Sequence, residues 1–211
     1  MAKYYPIMLN LTGLPCLVVG GGEVAERKVV SLLECDAELT VISPQLTPKI
    51  NSLSEQGKIR WLPREFQPGD AQGHVLVISA TDQAVTNHRV AAECRAAGII
   101  VNVVDDPKFC SFVVPAVVRQ EDLVIAVSTG GSSPLVARQI RDEMAQRYGP
   151  EYGEYLRILA QAREKVLRDI PEQENRRNVF EQLTNGYLLA LISAGQIAEA
   201  KEWVEKCLSL R

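Results

Sequence analysis

Short continuous apolar runs alternate with segments of helical period through the first half of the chain. Residues 16–19 form the first run, of the kind shown by a strand buried on both faces. Behind it, Val24, Ala25, Val29, Leu32 and Leu33 fall in one half of a helical wheel, with Glu26, Arg27 and Lys28 largely toward the other. Residues 37–42 read as a second strand ended by Ser43-Pro44, residues 50–56 as a helix, and residues 59–62 as a third strand. The run 74–80 is a stronger strand and follows Gly73. Thr81-Asp82 is expected to cap a helix over 84–97, which Gly98 stops. Residues 99–104 give the next strand and lead into Asp105-Asp106-Pro107. Strands and helices alternating with short links predict a parallel, doubly wound, Rossmann-like α/β sheet.

The rhythm changes after Lys108. Residues 112–118 and 123–128 are strand-like and separated only by Arg119-Gln-Glu-Asp122, a link that suits an antiparallel hairpin. A helix over 135–147 follows, with Ser133 as N-cap and Pro134 at its first position. From Pro150 onward the pattern is helical only, broken near Pro171, Asn185-Gly186 and Gly195. The expected organisation is a sheet domain over 1–111, a hairpin-and-helix region over 112–149 and a small all-helical domain over 150–211.

The turn after the first strand reads Gly20-x-Gly22-x-x-Ala25, the dinucleotide-binding pattern. The first glycine permits the tight turn, the second admits a pyrophosphate to the backbone, and the small third residue lets helix and strand approach. The helix N-terminus then offers free N–H groups and partial positive charge. Many NAD sites place Asp or Glu at the end of the second strand, to meet the ribose 2′-hydroxyl. Ser43, Pro44 and Gln45 stand there instead, with no arginine immediately beside them, so the residues lean toward NAD without excluding NADP. Ligands in such sheets bind beyond the carboxyl ends of the strands, so Gly20, Ser43, Ala80-Thr81 and Asp105 should converge on one cleft.

At 211 residues and 46% hydrophobic, the chain can hold one α/β domain and a smaller appendage. A net charge of −3 gives no reason to expect nucleic acid or an anionic membrane as partner. The five cysteines are scattered, without a C-x-x-C pair, and read as reduced thiols. The start of the chain lacks the apolar stretch of a signal peptide, and no run is long enough to span a membrane. The expected setting is the cytoplasm.

Asp105 is the candidate acid or base. A carboxylate ending an apolar strand at the cofactor crevice can be raised into a useful pKa range by partial burial, and Asp106 would push the same way. Asp105-Asp106-Pro107 reads equally well as a plain turn. His74 and His88 are the only histidines and have no metal-ligand spacing, so no metal site is expected. No nucleophile elbow is present. Gly130-Gly131-Ser132-Ser133 at a helix start could hold an anion through backbone N–H groups, with Ser128 and Thr129 beside it. Lys108, Arg119, Arg138 and Arg141 flank these segments and could add positive charge, although basic helical residues are more often a solvated face.

Several stretches together resemble one family: residues 18–28, Ser79-Ala-Thr-Asp82 with Asn87, Asn102-Val-Val-Asp105-x-Pro107, Ser111-Phe112-x-x-Pro115 and residues 126–134. They are similar to the precorrin-2 dehydrogenase family of sirohaem synthesis, which includes the N-terminal module of the fused bacterial sirohaem synthases. The resemblance runs in order from about residue 5 to 150. It implies NAD-dependent oxidation of precorrin-2 to sirohydrochlorin, with Asp105 matching the family's essential aspartate as general base or as an aid to metal insertion. Some members also insert iron or cobalt, so a bifunctional dehydrogenase and ferrochelatase is a second expectation, and a non-catalytic NAD-sensing module a third. Glu23-Val24 and Pro44-Gln45 match NAD-contacting positions. With Gly20, Gly22, Ser43, Ala80, Thr81 and Asn102 they make up the expected cofactor set. Ser128, Thr129, Gly130, Gly131, Lys108 and Arg138 make up the expected set for the many carboxylates of the substrate. Region 112–149 corresponds to the family's dimerisation region, implying a homodimer.

Overall fold

The computed structural model describes residues 4–209. They form two compact units, the chain passing from one to the other between Val114 and Pro115. The first holds β1 (Pro15–Val19), α1 (Glu23–Leu33), β2 (Glu38–Ile42), α2 (Pro48–Glu55), β3 (Arg60–Leu62), β4 (Leu76–Ser79), α3 (Ala84–Ala97) and β5 (Ile100–Val103). The strands make one parallel sheet in the order β3-β2-β1-β4-β5.

Side chains of a strand alternate between its two faces, and this divides the core. Cys16 and Val18 of β1 join Leu39 and Val41 of β2 and Leu76 and Ile78 of β4 beneath Ala25, Val29 and Leu32 of α1 and Ile50 of α2. Leu17, Val19 and Val77 meet Val90, Ala91 and Cys94 of α3 on the opposite face, with Val101 and Val103 of β5. Burying such side chains contributes about 1.5–3 kcal/mol each, and a strand covered on both faces gains at every position. That explains why the runs are continuous and not alternating.

Two of the helix ends show their local chemistry plainly. Gly98 closes α3 at φ +70°, and Thr47 caps α2 by accepting from the Ile50 N–H. The expected cap at Thr81-Asp82 is not formed, because α3 starts after Gln83, which makes no side-chain cap bond. Thr81 is drawn instead to Asn87 on the first turns of α3. The Asn87 carbonyl oxygen accepts from Ser79 Oγ (2.8 Å) and Thr81 Oγ1 (2.7 Å), and its amide donates to the Thr81 carbonyl (3.0 Å). Asn87 thereby sets the turn between β4 and α3.

Among the described residues no sixth strand covers β5. Ser111 and Cys110 take its free edge: Val101 N–H donates to Ser111 Oγ (2.7 Å), Ser111 N–H returns to the Val101 carbonyl (2.8 Å), and Val103 N–H donates to Cys110 Sγ (3.2 Å).

The second unit begins with the hairpin β6 (Ala116–Gln120) and β7 (Leu123–Val127), antiparallel and turning on Glu121-Asp122 with Glu121 at φ +51°. The first strand of this pair starts four residues later than the apolar run suggests. Pro115 has no N–H to give a ladder, and the Phe112 carbonyl is taken by Asn102. α4 (Pro134–Arg147) starts as expected, Ser133 Oγ accepting from the Val136 N–H. α5 (Glu151–Asp169), α6 (Gln173–Leu183), α7 (Tyr187–Ser193) and α8 (Ile197–Ser209) enclose their own core of Ile158, Val166, Val179, Leu183, Leu188 and Val204. Among the described residues no helix is long and apolar enough to cross a membrane.

Candidate functional site

The carboxyl ends of the parallel strands open on a crevice of about 640 Å³. Its walls are the β1–α1 turn from Gly20 to Val24, residues 43–47 after β2, Glu65 and Phe66 after β3, residues 80–83 after β4, and Val104 with Asp105 after β5. Gly20, Gly22, Glu23, Val24, Ser43, Pro44, Gln45, Ala80, Thr81 and Asp105 are therefore all brought to one place.

The three glycines occupy different situations. Gly20 has φ +124°, and a Cβ there would lie 2.3 Å from the Ala80 carbonyl oxygen. A Cβ on Gly21 would fall 1.9 Å from the Gln45 carbonyl oxygen. Gly22 is the N-cap of α1 and makes no side-chain cap bond, and a Cβ on it would meet nothing within 4 Å. So the first two glycines let the 43–47 and β4 walls close on the turn, while the third faces open space at a helix start. That is the arrangement a pyrophosphate requires, and the residues present fit a dinucleotide.

The wall after β2 is braced from several sides. Ser43 Oγ donates to the Gln45 carbonyl (2.7 Å), Trp61 Nε1 to the Ser43 carbonyl (2.9 Å), and Thr47 N–H to the Gly21 carbonyl (2.9 Å). Thr47 Oγ1 also donates to Glu26 of α1 (2.6 Å). The segment bearing Glu65 and Phe66 was not singled out from the sequence, because it is an irregular loop without periodicity or motif. It is nonetheless firmly held. Arg64 pairs with both carboxylate oxygens of Asp70 (2.6 and 2.7 Å), and Glu93 of α3 accepts from the N–H groups of Gly69 and Ala71. The Arg64 guanidinium keeps the Asp70 carboxyl below the ordinary carboxylate range, against the opposing effect of burial.

Asp105 stands at the end of β5 with φ +62°, in the left-handed region that Asp tolerates better than most residues. It is exposed, so the partial burial expected of it is not found. Asp106 pairs with His88 (3.3 Å), whose ring stacks on Phe109 at 4.2 Å. Lys28 lies within electrostatic range of Asp105. Burial draws its ammonium below the usual lysine range and Arg27 adds to this, while Asp105 pulls the opposite way.

The remaining expected residues are not among those that line the crevice. Asn102 does not line the crevice, because its amide donates to the Phe112 carbonyl (3.0 Å) on the α1 face of the sheet. Lys108 is exposed in the single turn Pro107–Phe109 after Asp105. Ser128, Thr129, Gly130, Gly131 and Arg138 belong to the second unit. There the loop satisfies much of itself: Gly130 N–H donates to Ser128 Oγ, Ser132 N–H to the Thr129 carbonyl, and Ser133 N–H to Thr129 Oγ1. Arg138 is exposed on α4. Among the described residues no group of three His, Cys, Asp or Glu is placed to hold a metal ion. Burial pushes the Cys16 and Cys94 thiols up to about 11, which removes both as nucleophiles.

Three family models match successive stretches of the chain. Residues 7–116 match a family model described as "Putative NAD(P)-binding", residues 120–147 one described as "Sirohaem biosynthesis protein central", and residues 151–208 one described as "Sirohaem synthase dimerisation region". Siroheme synthase of Methylobacillus flagellatus is 39% identical over 206 residues, covering 98% of this chain and 44% of that protein. Siroheme synthase of Methylococcus capsulatus is 41% identical over 198 residues, covering 94% and 42%. The chain thus spans less than half the length of these relatives. A solved structure of SirC, precorrin-2 dehydrogenase, superposes with a TM-score of 0.79 at 25% identity, covering 97% of this chain and 98% of that one.

Proposed function

As a member of the precorrin-2 dehydrogenase family of sirohaem biosynthesis, this chain, we propose, oxidises precorrin-2 to sirohydrochlorin with NAD, Asp105 serving as general base. The observation that carries the reading is the single crevice in which the glycine turn and Asp105 face the same space.

When bound, NAD supplies the hydride acceptor. The chain's own residues do the rest. The start of α1, with Gly22, Glu23 and Val24, holds the pyrophosphate through backbone N–H groups. Ser43, Pro44 and Gln45 form the wall for the adenosine end, and Ala80 and Thr81 the wall toward the nicotinamide. Oxidation removes a hydride and a proton, and the proton goes to a carboxylate oxygen of Asp105. Exposure of Asp105 suits a group that must then return the proton to solvent. Lys108, Arg138 and the Ser128–Gly131 loop are the groups we assign to the substrate carboxylates.

The deciding experiment is an anaerobic assay of the chain with precorrin-2 and NAD, followed by absorbance. We expect NADH and sirohydrochlorin to appear in equal amounts. NAD binding without turnover would point to the sensing module instead. Metal insertion into sirohydrochlorin by cobalt or ferrous ions, without NAD, would add the chelatase activity.

We place the protein in the cytoplasm, in keeping with five free cysteines, and read it as a homodimer. Val117, Leu135, Val136 and Ile140 on the hairpin and α4 are exposed apolar side chains, and residues 151–208 match the dimerisation model. Sedimentation at micromolar concentration should give twice the chain mass of 23.3 kDa. A single-chain mass would contradict the dimer.

A further inference from the structure

The crevice carries charge of one sign only. Its charged lining residues among those described are Glu23, Glu65, Asp82 and Asp105, with no lysine, arginine or histidine between them. The end of β2, where a dinucleotide fold meets the adenosine ribose, offers Ser43, Pro44 and Gln45 and no carboxylate. β3 lies beside β2 in the sheet, and the loop leaving β3 brings Glu65 and Phe66 into the same wall as residues 43–47. The guanidinium next along the chain, Arg64, is withheld from that wall by its two bonds to Asp70. Glu93 fixes the far side of the loop through Gly69 and Ala71.

We infer that Glu65 is the residue that selects NAD over NADP, taking from the neighbouring strand the part that the end of β2 leaves empty. A carboxylate there accepts from a ribose hydroxyl and repels a phosphate in the same position. The clamp of Asp70 on Arg64 completes the selection, since it removes the cation that a 2′-phosphate would seek. This inference rests on the coenzyme reading given above and adds to it a residue and a direction. A phosphate of about two negative charges, held roughly 6 Å from a carboxylate in water-like surroundings, loses about tenfold in affinity.

Isothermal titration calorimetry of the chain with NAD and with NADP, without tetrapyrrole, reads the selection directly. The wild type should favour NAD by about tenfold or more. Raising the ionic strength from about 0.02 M to about 0.5 M should narrow that gap, as screening of a surface charge does and a steric exclusion does not. Glu65 is exposed, so its replacement leaves the core untouched. Glu65→Gln should bring the two affinities within about threefold of each other, and Glu65→Lys should reverse their order. Equal wild-type affinities, or an unchanged ratio in both variants, would overturn the assignment of Glu65. Failure of the wild type to bind either coenzyme would overturn the coenzyme reading itself, and the two failures are distinguishable in the same titration.

Discussion

Asp105→Asn should lower kcat for the proposed precorrin-2 oxidation by about a thousandfold, within the range that loss of a positioned base produces, while the Kd for NAD should move by less than about twofold. Asparagine is the informative replacement because the backbone at this position has φ +62°. Asn and Asp share a tolerance for that conformation that a branched or bulky side chain lacks. The turn should therefore survive, with only the proposed proton acceptor removed. Asp106→Asn is the matching control, since Asp106 is engaged with His88 and should change kcat by less than about threefold. Stopped-flow absorbance for turnover and calorimetry for NAD separate the two quantities. Near-normal turnover in Asp105→Asn would remove this residue from the chemistry.

Gly21→Ala gives the second large effect, and its origin is packing. The new methyl group would lie 1.9 Å from the Gln45 carbonyl oxygen and 2.7 Å from Ser43 Oγ. Neither can withdraw freely, because Trp61 and Thr47 tie this segment to β3 and to the Gly21 carbonyl. Displacing a braced backbone costs about 1–3 kcal/mol, which urea denaturation should show as a shifted midpoint with an unchanged slope. NAD affinity falls with it, because the displaced segment is a wall of the crevice. Gly22→Asp should separate affinity from stability. Its backbone φ is −84° and its side-chain direction is open, so stability stays within about 0.5 kcal/mol. NAD affinity drops about tenfold or more, from a negative charge placed at the helix start. Equal loss of stability in the two variants would mean that the two glycines do not differ in the way their surroundings indicate.

What could be read from the sequence was whatever depended on neighbours along the chain. The parallel sheet follows from alternation of elements, the stop at Gly98 from a left-handed C-terminal glycine, and the Ser133 cap from its own hydroxyl. Not legible in the sequence were the side-chain partners that come from far away. Asn102 ends among cofactor candidates by its place in a motif, yet its side chain belongs to the Phe112 carbonyl. Thr81 reads as a cap, but Asn87 claims it. Asp106 reads as a helper of Asp105, until His88 and Phe109 arrive from α3 and the turn after β5. Glu65 and Phe66 carried no signal at all, since only the pairing of β3 with β2 brings their loop to the crevice.

An open flank of a sheet is an invitation for a foreign strand to zip alongside it, and β5 would otherwise extend one. Here a hydroxyl and a thiol occupy the backbone groups that such a newcomer would need. Fibril-like growth from this side would first have to peel away Ser111 and Cys110, so these two side chains act as a hem that keeps the fabric from being extended.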